Sequence, residues 1–400
     1  EPELVARGER QEPQPSIAAM RETPAGRQTA ISYSGAVRLG QVDRTALAVW
    51  TGWRVGVLVL GIATAGLLNA GRDGFELVQR WYHWDVVHFV GIARNGYVGE
   101  PTGVPNEAFL PGLPLLMRAG AGIGVDEVVV GLVVSLAASA VAAVAMARLA
   151  ERLVPGTGWL TVLVWLLAPT AVFLAAPYTE ALFLALALPA VLAAQDRRWW
   201  LAGLLTAGAA TVRVSALFLV AALVVHWWVD GRRRVRDLAW LALPALPIAL
   251  IVWVQHAATG SWLAWWEAQS SPEWSRGARP PWETVENTWE AAFAGTVDAQ
   301  YVWPFRLELV ALALGLVATA WCLWRRWWPE ATFVGLNVAA FSFSYWLLSV
   351  PRSALLWWPL WIGVAAAVRD RPWLRAVWIG TSAALAVALA VSFFSGRWAG

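Results

Sequence analysis

The run Val128–Leu149 reads VVVGLVVSLAASAVAAVAMARL and identifies the class of protein. About 20 consecutive apolar residues suffice for a helix to cross a bilayer, and this run carries one charged residue, Arg148, near its end. Comparable runs recur along the chain. They are continuous rather than alternating, which excludes the period-two pattern of a membrane β-barrel. The sequence therefore predicts an all-α polytopic membrane protein.

The composition indicates the same class. Of the 400 residues, 58% are hydrophobic and 14% are charged, whereas soluble domains average about 25% charged. The sequence has no lysine and much Ala, Gly and Val, which is typical of a GC-rich, for example actinobacterial, genome. The arginines lie in short clusters between apolar runs, so membrane topology explains the net charge of +3 without a nucleic-acid partner. The single cysteine, Cys322, excludes an intrachain disulfide.

The arginine clusters predict how the helices are oriented, because cytoplasmic loops are enriched in Lys and Arg. A division of the chain into about eleven transmembrane helices places all of these clusters on one side. They are residues 148–152, 197–198, 232–236, 325–326 and 369–375. The long polar loops 69–127 and 259–303 then lie on the outer side, and the first of them is expected to contain interfacial helices.

Two further segments follow from this topology. Residues 1–44 are polar and lack the apolar core of a signal peptide, so we predict a disordered cytoplasmic tail before a polytopic domain at 45–400 in the cell membrane. Trp199–Trp228 has basic residues at both ends and Arg213 near its middle. It is therefore expected to enter and leave the membrane as two short helices that meet near Arg213.

The stretch Trp81–Pro114, WYHWDVVHFVGIARNGYVGEPTGVPNEAFLPGLP, gathers the polar residues that the apolar runs lack. Asp85 and His88 share a face if they are helical, and a carboxylate among aromatic side chains at a membrane surface is placed to act as a general base. The candidates for binding a sugar or phosphate in this stretch are Trp84, His88, Arg94, Asn106 and Glu107. The alternative is a solvated loop without a chemical role.

Four residues farther along the chain are candidates for the same site. Tyr178 and Glu180 lie in a short outer turn, and Arg213 and Arg352 are arginines that suit a lipid-linked phosphate. An arginine within an apolar segment is costly unless it faces a cavity or a partner. The alternatives are that Glu180 only favours a helix N-terminus and that the arginines form internal ion pairs, for example with Glu180.

Nucleotide-binding motifs are absent, since the sequence contains neither GxxxxGK[ST] nor GxGxxG after a strand. A nucleotide-driven pump and a nucleotide-sugar transferase are therefore disfavoured, and a sugar donor would be lipid-linked and reached from the membrane. His226 and His256 lie beside aromatic or apolar residues at membrane edges, and we interpret them as interfacial residues. We therefore predict neither a cofactor nor a metal site.

Four segments together resemble the PIG-V-type mannosyltransferases, which add the second mannose of GPI anchors in eukaryotes. HWDVVHF at 83–89 is similar to the WD-x-x-H-[FY] segment of that family. AFLPGLPL at 108–115 resembles AFFPLYPL, APYTEALF at 176–183 resembles APYTE-[SA]-LF, and ATVRVS at 210–215 resembles a short segment around an arginine. Order and spacing agree from about Trp81 to Ser215.

The resemblance implies a GT-C type glycosyltransferase fold and a polyprenyl-phosphate sugar donor used at the outer face. It implies Asp85 as the general base that deprotonates the acceptor, with His88, Arg213 and Arg352 contacting the donor phosphate or substrate and Tyr178 and Glu180 lining the site. Two departures stand out: Asp85 has no acidic neighbour, and Leu110 and Gly112 differ from the Phe and Leu that the family segment has at these positions. The acceptor is expected to be an extracytoplasmic lipid or glycan, because a bacterium would lack GPI.

Two other functions stay open from sequence alone. A polyprenyl or phospholipid transporter (a flippase) would use Arg213 and Arg352 to guide a phosphate head group, and it predicts polar residues spread along a path at mid-membrane depth. A scaffold subunit without activity predicts that Asp85 is dispensable. The concentration of polar residues in the outer loops favours the enzyme.

Overall fold

The computed structural model describes residues 36–68, 77–97, 105–231, 234–272, 274 and 276–399. These residues form α-helices and short 3-10 turns, and no strand occurs among them. The helices, in chain order, are α1 Ala36–Leu68, α2 Asp85–Asn95, α3 Gly112–Ala121, α4 Glu127–Leu153, α5 Gly158–Leu166, α6 Thr179–Gln195, α7 Trp199–Ala210, α8 Ser215–Val229, α9 Val235–Leu241, α10 Ala245–Thr259, α11 Ala264–Gln269, α12 Pro281–Phe293, α13 Ala299–Trp324, α14 Trp328–Ser342, α15 Val350–Ser353, α16 Trp358–Arg369 and α17 Pro372–Phe394.

The prediction of an all-α membrane protein is confirmed for the described residues. Five helical segments are long and apolar enough to cross a membrane: Gly40–Leu67, Glu127–Leu153, Val235–Thr259, Ala299–Trp324 and Pro372–Phe394. The helices α6, α7 and α8 are apolar and shorter. The count of about eleven crossings and the GT-C type of the fold stay predictions.

The segment around Arg213 has the predicted form of two short helices. Helix α7 ends at Ala210 and α8 begins at Ser215, so Arg213 lies in the break between them. The break is packed against the start of α3, where the backbone N–H of Gly112 donates to the carbonyl of Thr211 at 2.8 Å. A Cβ atom at Gly112 would lie 2.7 Å from that carbonyl oxygen, so this close approach requires glycine.

The N-terminal boundary differs from the prediction. Helix α1 begins at Ala36, so it includes residues 36–44 that the sequence assigned to the tail, and residues 1–35 lie outside the described part of the chain. Asp43, which the prediction placed in the tail, lies in α1, and its carboxylate accepts from Arg148 of α4 at 2.6 and 2.8 Å. That ion pair lies between elements distant in sequence, which a pattern of local polarity does not reveal.

The two ends of the helix bundle differ in their charged residues. At one end, ion pairs connect the basic clusters, including Arg152 with Asp196 at 2.9 Å and Arg197 with Asp230 at 2.6 Å. Helix α6 runs from Thr179 to Gln195, which spans about 25 Å at 1.5 Å per residue. Glu180 therefore lies at the end opposite to the basic clusters, and the candidate site lies there too.

Candidate active site

Asp85 is the first residue of α2, and its carboxylate is buried with 6% of the residue exposed. The preceding residue, Trp84, has a φ of 55°, in the left-handed region, so the chain turns sharply before the helix begins. A carboxylate is favoured at a helix N-terminus by the helix dipole. Oδ2 of Asp85 accepts a hydrogen bond from Nη1 of Arg352 at 2.8 Å, across 267 residues of sequence.

Glu180 lies in the first turn of α6, and its side chain is completely buried. Its Oε1 accepts from Nη1 of Arg213 at 2.7 Å and lies 3.1 Å from Nε of Arg352. The contact with Arg352 is an ion pair without hydrogen-bond alignment, because that Nε has no hydrogen-bond partner in the described residues. Arg213 also donates to Oγ1 of Thr179 at 2.7 Å.

Asp85, Arg352, Glu180 and Arg213 thus form one chain of alternating charges, which we call the charge chain. Two carboxylates and two guanidinium groups give it a formal charge of zero. Burial by itself lowers the pKa of Arg352, but Asp85 and Glu180 outweigh burial and raise that pKa above its ordinary value. The opposite formal charges of the chain therefore lie within ion-pair distance of one another, as buried charges require.

The backbone before Arg352 is fixed by a further buried carboxylate, Glu308 of α13. Its two oxygens accept from the N–H groups of Ser349 at 2.6 Å and Val350 at 2.8 Å. Ser349 has a φ of 67°, which is strained for a residue other than glycine, and these bonds help to hold it. The guanidinium carbon of Arg352 lies 5.5 Å from the ring centres of both Phe173 and Tyr178.

A cleft with about 720 Å³ of empty space, counted to its open mouth, lies against the charge chain. Asp85, Arg213 and Arg352 line it together with aromatic residues from both outer loops, including Phe109 and Trp274. A second, apolar cavity of about 600 Å³ shares Arg213 and Trp265 with this cleft. It extends between α8 and α10, so a charged cleft continues into an apolar groove.

The second outer loop covers the first one at this cleft. Nε2 of Gln269 donates to the carbonyl of Ala108 at 3.0 Å, and Nε2 of Gln255 donates to the carbonyl of Glu107 at 2.9 Å. The ring of Trp274 packs edge-on against Phe109, with 5.5 Å between centroids. Arg276 follows and also lines the cleft. The two polar loops predicted to share one side are therefore in direct contact.

The remaining sequence candidates lie around the cleft rather than in it. Nδ1 of His88 lies 3.0 Å from Oδ1 of Asn106, and the His88 ring stacks on Phe109 at 4.8 Å, so this pair supports the wall from behind. Arg94 forms a two-fold ion pair with Glu127, at 2.8 Å for each bond, and its side chain is 57% exposed. Neither His88 nor Arg94 lines the cleft.

Three other candidates have distinct positions. Tyr178 is buried beneath Arg352, and its hydroxyl donates to the carbonyl of His83 at 3.4 Å. Trp84 contacts Trp398 edge-on at 5.1 Å, and Trp398 lines the cleft. Glu107 contributes its backbone carbonyl to the loop–loop contact. Among the described residues, no group of three or more His, Cys, Asp and Glu side chains is arranged to hold a metal ion.

Sequence reasoning missed Arg276, Gln269 and Glu308. The signal for Arg276 was present, since it is an arginine beside tryptophans in the second outer loop, where any cation faces the same side as Asp85. Glu308 is a carboxylate inside the apolar run of α13, and an acidic residue there indicates a buried partner. Its partners are backbone groups, which sequence does not reveal.

Part of the chain matches a known protein family. Residues 62–229 match the family model described as Mannosyltransferase (PIG-V). The resemblance to PIG-V mannosyltransferases is therefore confirmed. The matched segment contains Asp85, Glu180 and Arg213 of the charge chain, whereas Arg352 and Arg276 lie beyond it.

Curated relatives carry the same description. The chain is 37% identical over 153 residues to GPI alpha-1,6-mannosyltransferase 2 of Rattus norvegicus, covering 35% of this chain and 30% of that protein. It is 34% identical over 148 residues to GPI mannosyltransferase 2 of Cryptococcus neoformans, covering 34% of each. It is 35% identical over 175 residues to the human GPI alpha-1,6-mannosyltransferase 2, covering 41% of this chain and 34% of that protein. The matches thus span about a third of each relative. No solved structure matches the chain.

Proposed function

We propose that this membrane protein is a mannosyltransferase that moves mannose, or a similar hexose, from a polyprenyl-phosphate donor to a lipid or glycan acceptor. The observation that carries the proposal is the position of Asp85, a buried carboxylate on the wall of a cleft that three arginines also line. The family match and the names of the curated relatives support transfer of mannose. The position of the basic clusters at the opposite end of the bundle favours an extracytoplasmic active site.

The reaction assigned to Asp85 is removal of the proton from the acceptor hydroxyl. The acceptor oxygen then bonds to the anomeric carbon of the sugar, and the bond from that carbon to the phosphate oxygen breaks. The electron pair of the broken bond stays on the polyprenyl phosphate. Arg352 holds Oδ2 of Asp85 at 2.8 Å, so the base is fixed at the cleft wall before the acceptor enters.

The shape of the cavities supports a lipid-linked donor. The cleft offers guanidinium groups for a phosphate, and the adjoining groove between α8 and α10 is lined by apolar side chains such as Leu217, Ile248 and Ile251. A polyprenyl chain in this groove would place its phosphate beside Arg213, which lines both spaces. The aromatic residues Trp265 and Trp274 are in position to stack on a sugar face.

The test uses membranes that contain the wild type or Asp85→Asn, supplied with polyprenyl-phosphate mannose carrying a radiolabel. Loss of a general base typically reduces the rate by about 10²- to 10⁴-fold, so we expect a labelled product from the wild type and nearly none from the variant. Glu286→Gln is the matched control, because Glu286 is an exposed carboxylate of the second outer loop. Equal labelling by Asp85→Asn and wild type would remove Asp85 from the mechanism.

The transporter makes a different prediction in the same system. Its charged residues should follow a path across the membrane, whereas the four members of the charge chain lie together at one end of α6. Liposomes that contain the purified wild type and move polyprenyl phosphate between leaflets, without any transfer of label, would establish the transporter instead.

A further inference from the structure

Arg276 is a cation of the cleft that the charge chain does not include. It lies in the second outer loop, is half-buried, and lines the same space as Asp85, Arg213 and Arg352. Its Nη1 donates a long hydrogen bond to Oε1 of Gln269 at 3.3 Å, and its guanidinium carbon lies 5.4 Å from the ring centre of Trp274. Both contacts are made within the loop and orient the side chain without neutralising it.

Arg276 differs from the other two arginines of the cleft in its ion pairing. Arg213 and Arg352 are each paired with a carboxylate, but none of the ion pairs found among the described residues involves Arg276. Burial is the largest influence and lowers the pKa of Arg276 to about 10; the charge of Arg352 acts in the same direction, whereas Asp85 and Glu308 act against it. Arg276 therefore still carries its charge at neutral pH. Among the three arginines that line the cleft, Arg276 is thus the one without a direct ion pair in the described residues, since Asp85 and Glu308 act on it only at longer range.

Two roles for such a cation can be separated by their effect on stability. If Arg276 serves the fold through its contact with Trp274, its removal should destabilise the protein, since cation–π contacts contribute favourably. If it serves an anionic ligand, its removal from the empty protein ends the burial of a charge without a direct ion pair, while its repulsion with Arg352 and its attraction to Asp85 and Glu308 are lost together, so stability should be unchanged or raised. Residues held for function at a cost in stability behave in this second way.

We propose that Arg276 binds the phosphate of the lipid-linked sugar donor. This inference rests on the proposed function. A sugar phosphodiester carries one negative charge, and the polyprenyl monophosphate that leaves carries about one more. The planar guanidinium forms two parallel bonds with phosphate oxygens. A guanidinium group without a direct ion pair has its donors available for this growing charge, whereas Arg213 and Arg352 are already paired with Glu180 and Asp85.

The experiment measures binding rather than transfer. Purified wild type, Arg276→Gln, Arg276→Lys and Arg279→Gln in detergent are titrated with a polyprenyl monophosphate and with the uncharged polyprenol of the same chain length. Binding is followed through the rise in apparent unfolding temperature with ligand concentration. Arg279 is the matched control, because it is an exposed arginine three residues away that contacts the ring of Tyr345 and does not line the cleft.

We expect wild type and Arg279→Gln to prefer the phosphate to the polyprenol. Arg276→Gln should bind the phosphate about 10- to 100-fold more weakly, the usual loss for a charge-assisted hydrogen bond. Arg276→Lys should retain part of the preference, and Arg276→Gln without ligand should unfold no earlier than wild type. A full phosphate preference in Arg276→Gln would overturn the assignment and leave the donor class intact. No preference in wild type would overturn both the donor class and the assignment.

Discussion

Replacing Glu180 with glutamine tests whether the charge chain holds the fold together. In the wild type, two carboxylates offset two guanidinium groups, and Glu180 is the one member that contacts both arginines, at 2.7 and 3.1 Å. Glu180→Gln keeps the shape and removes one negative charge. Arg213 and Arg352 are then left with Asp85 as the remaining carboxylate of the chain.

The expected cost follows from burial. The side chains of Glu180, Arg213 and Arg352 are 0%, 16% and 9% exposed, so water screens the remaining charges weakly. Breaking a buried ion pair by removing one partner typically costs about 3–5 kcal/mol. Against a total stability of about 5–15 kcal/mol for a typical protein, this is a large fraction. We therefore expect the apparent unfolding temperature of Glu180→Gln to fall well below that of the wild type.

The control is Glu127→Gln, which makes the same chemical change in the ion pair with Arg94. The Arg94 side chain is 57% exposed and that of Glu127 is 11% exposed, so water screens this pair more than the Glu180 pairs and its loss should cost less. All proteins are heated in the same detergent at one scan rate, since irreversible unfolding makes the midpoint rate-dependent. If Glu180→Gln unfolds at the same temperature as Glu127→Gln or higher, the charge chain does not stabilise the fold as proposed.

A double variant separates charge balance from packing. Glu180→Gln with Arg213→Gln restores a neutral chain, because one carboxylate then faces one guanidinium. Contacting charged residues show coupling of about 0.5–3 kcal/mol, so the double variant should be more stable than the sum of the two single changes predicts. Simple additivity would mean that Glu180 and Arg213 contribute separately and that the chain is not one unit.

Two further variants test the frame of the site. Gly112→Ala should destabilise the protein by about 1–3 kcal/mol and lower transfer activity, because its Cβ would lie 2.7 Å from the Thr211 carbonyl oxygen. The control is Gly66→Ala, which has open space around the added Cβ and should be neutral in the same unfolding assay. Burial, and then the charge of Arg80, lower the pKa of His83 below its ordinary value of 6.5. As pH falls below about 6.5 the unfolded chain therefore takes up the proton first, so stability should decrease, and less so in His83→Gln. An unchanged dependence of unfolding temperature on pH in His83→Gln would assign the effect to another group.

Much of the fold was predictable from the local residue pattern and the distribution of charged residues. The break at Arg213 was predictable because basic residues at both ends of one apolar segment require it to turn back. The ion pair between Arg213 and Glu180 was one of the alternatives considered from sequence, since a buried arginine needs a partner. Both features were predictable because a single physical constraint on one segment or one residue is enough to require them.

Contacts between distant segments could not be predicted in this way. Asp85 and Arg352 are 267 residues apart, and no periodicity relates α2 to α15. Asp43 of α1 pairs with Arg148 of α4 across 105 residues of sequence. The sequence marks Arg276 as an arginine beside tryptophans in an outer loop, but its lack of a direct ion pair is visible only in the structure.

Stability and function make opposite demands on the charges of this cleft. Glu180 and Arg276 carry opposite charges near the same cavity, so each glutamine substitution changes its charge by one unit. Glu180→Gln uncovers a cation that the fold had neutralised, and stability should fall. Arg276→Gln removes a cation that has no direct ion pair among the described residues, and stability should hold or rise while phosphate binding weakens. A loss of stability in both variants would mean that Arg276, like Glu180, stabilises the fold. The assignment of Arg276 to the donor phosphate would then be wrong.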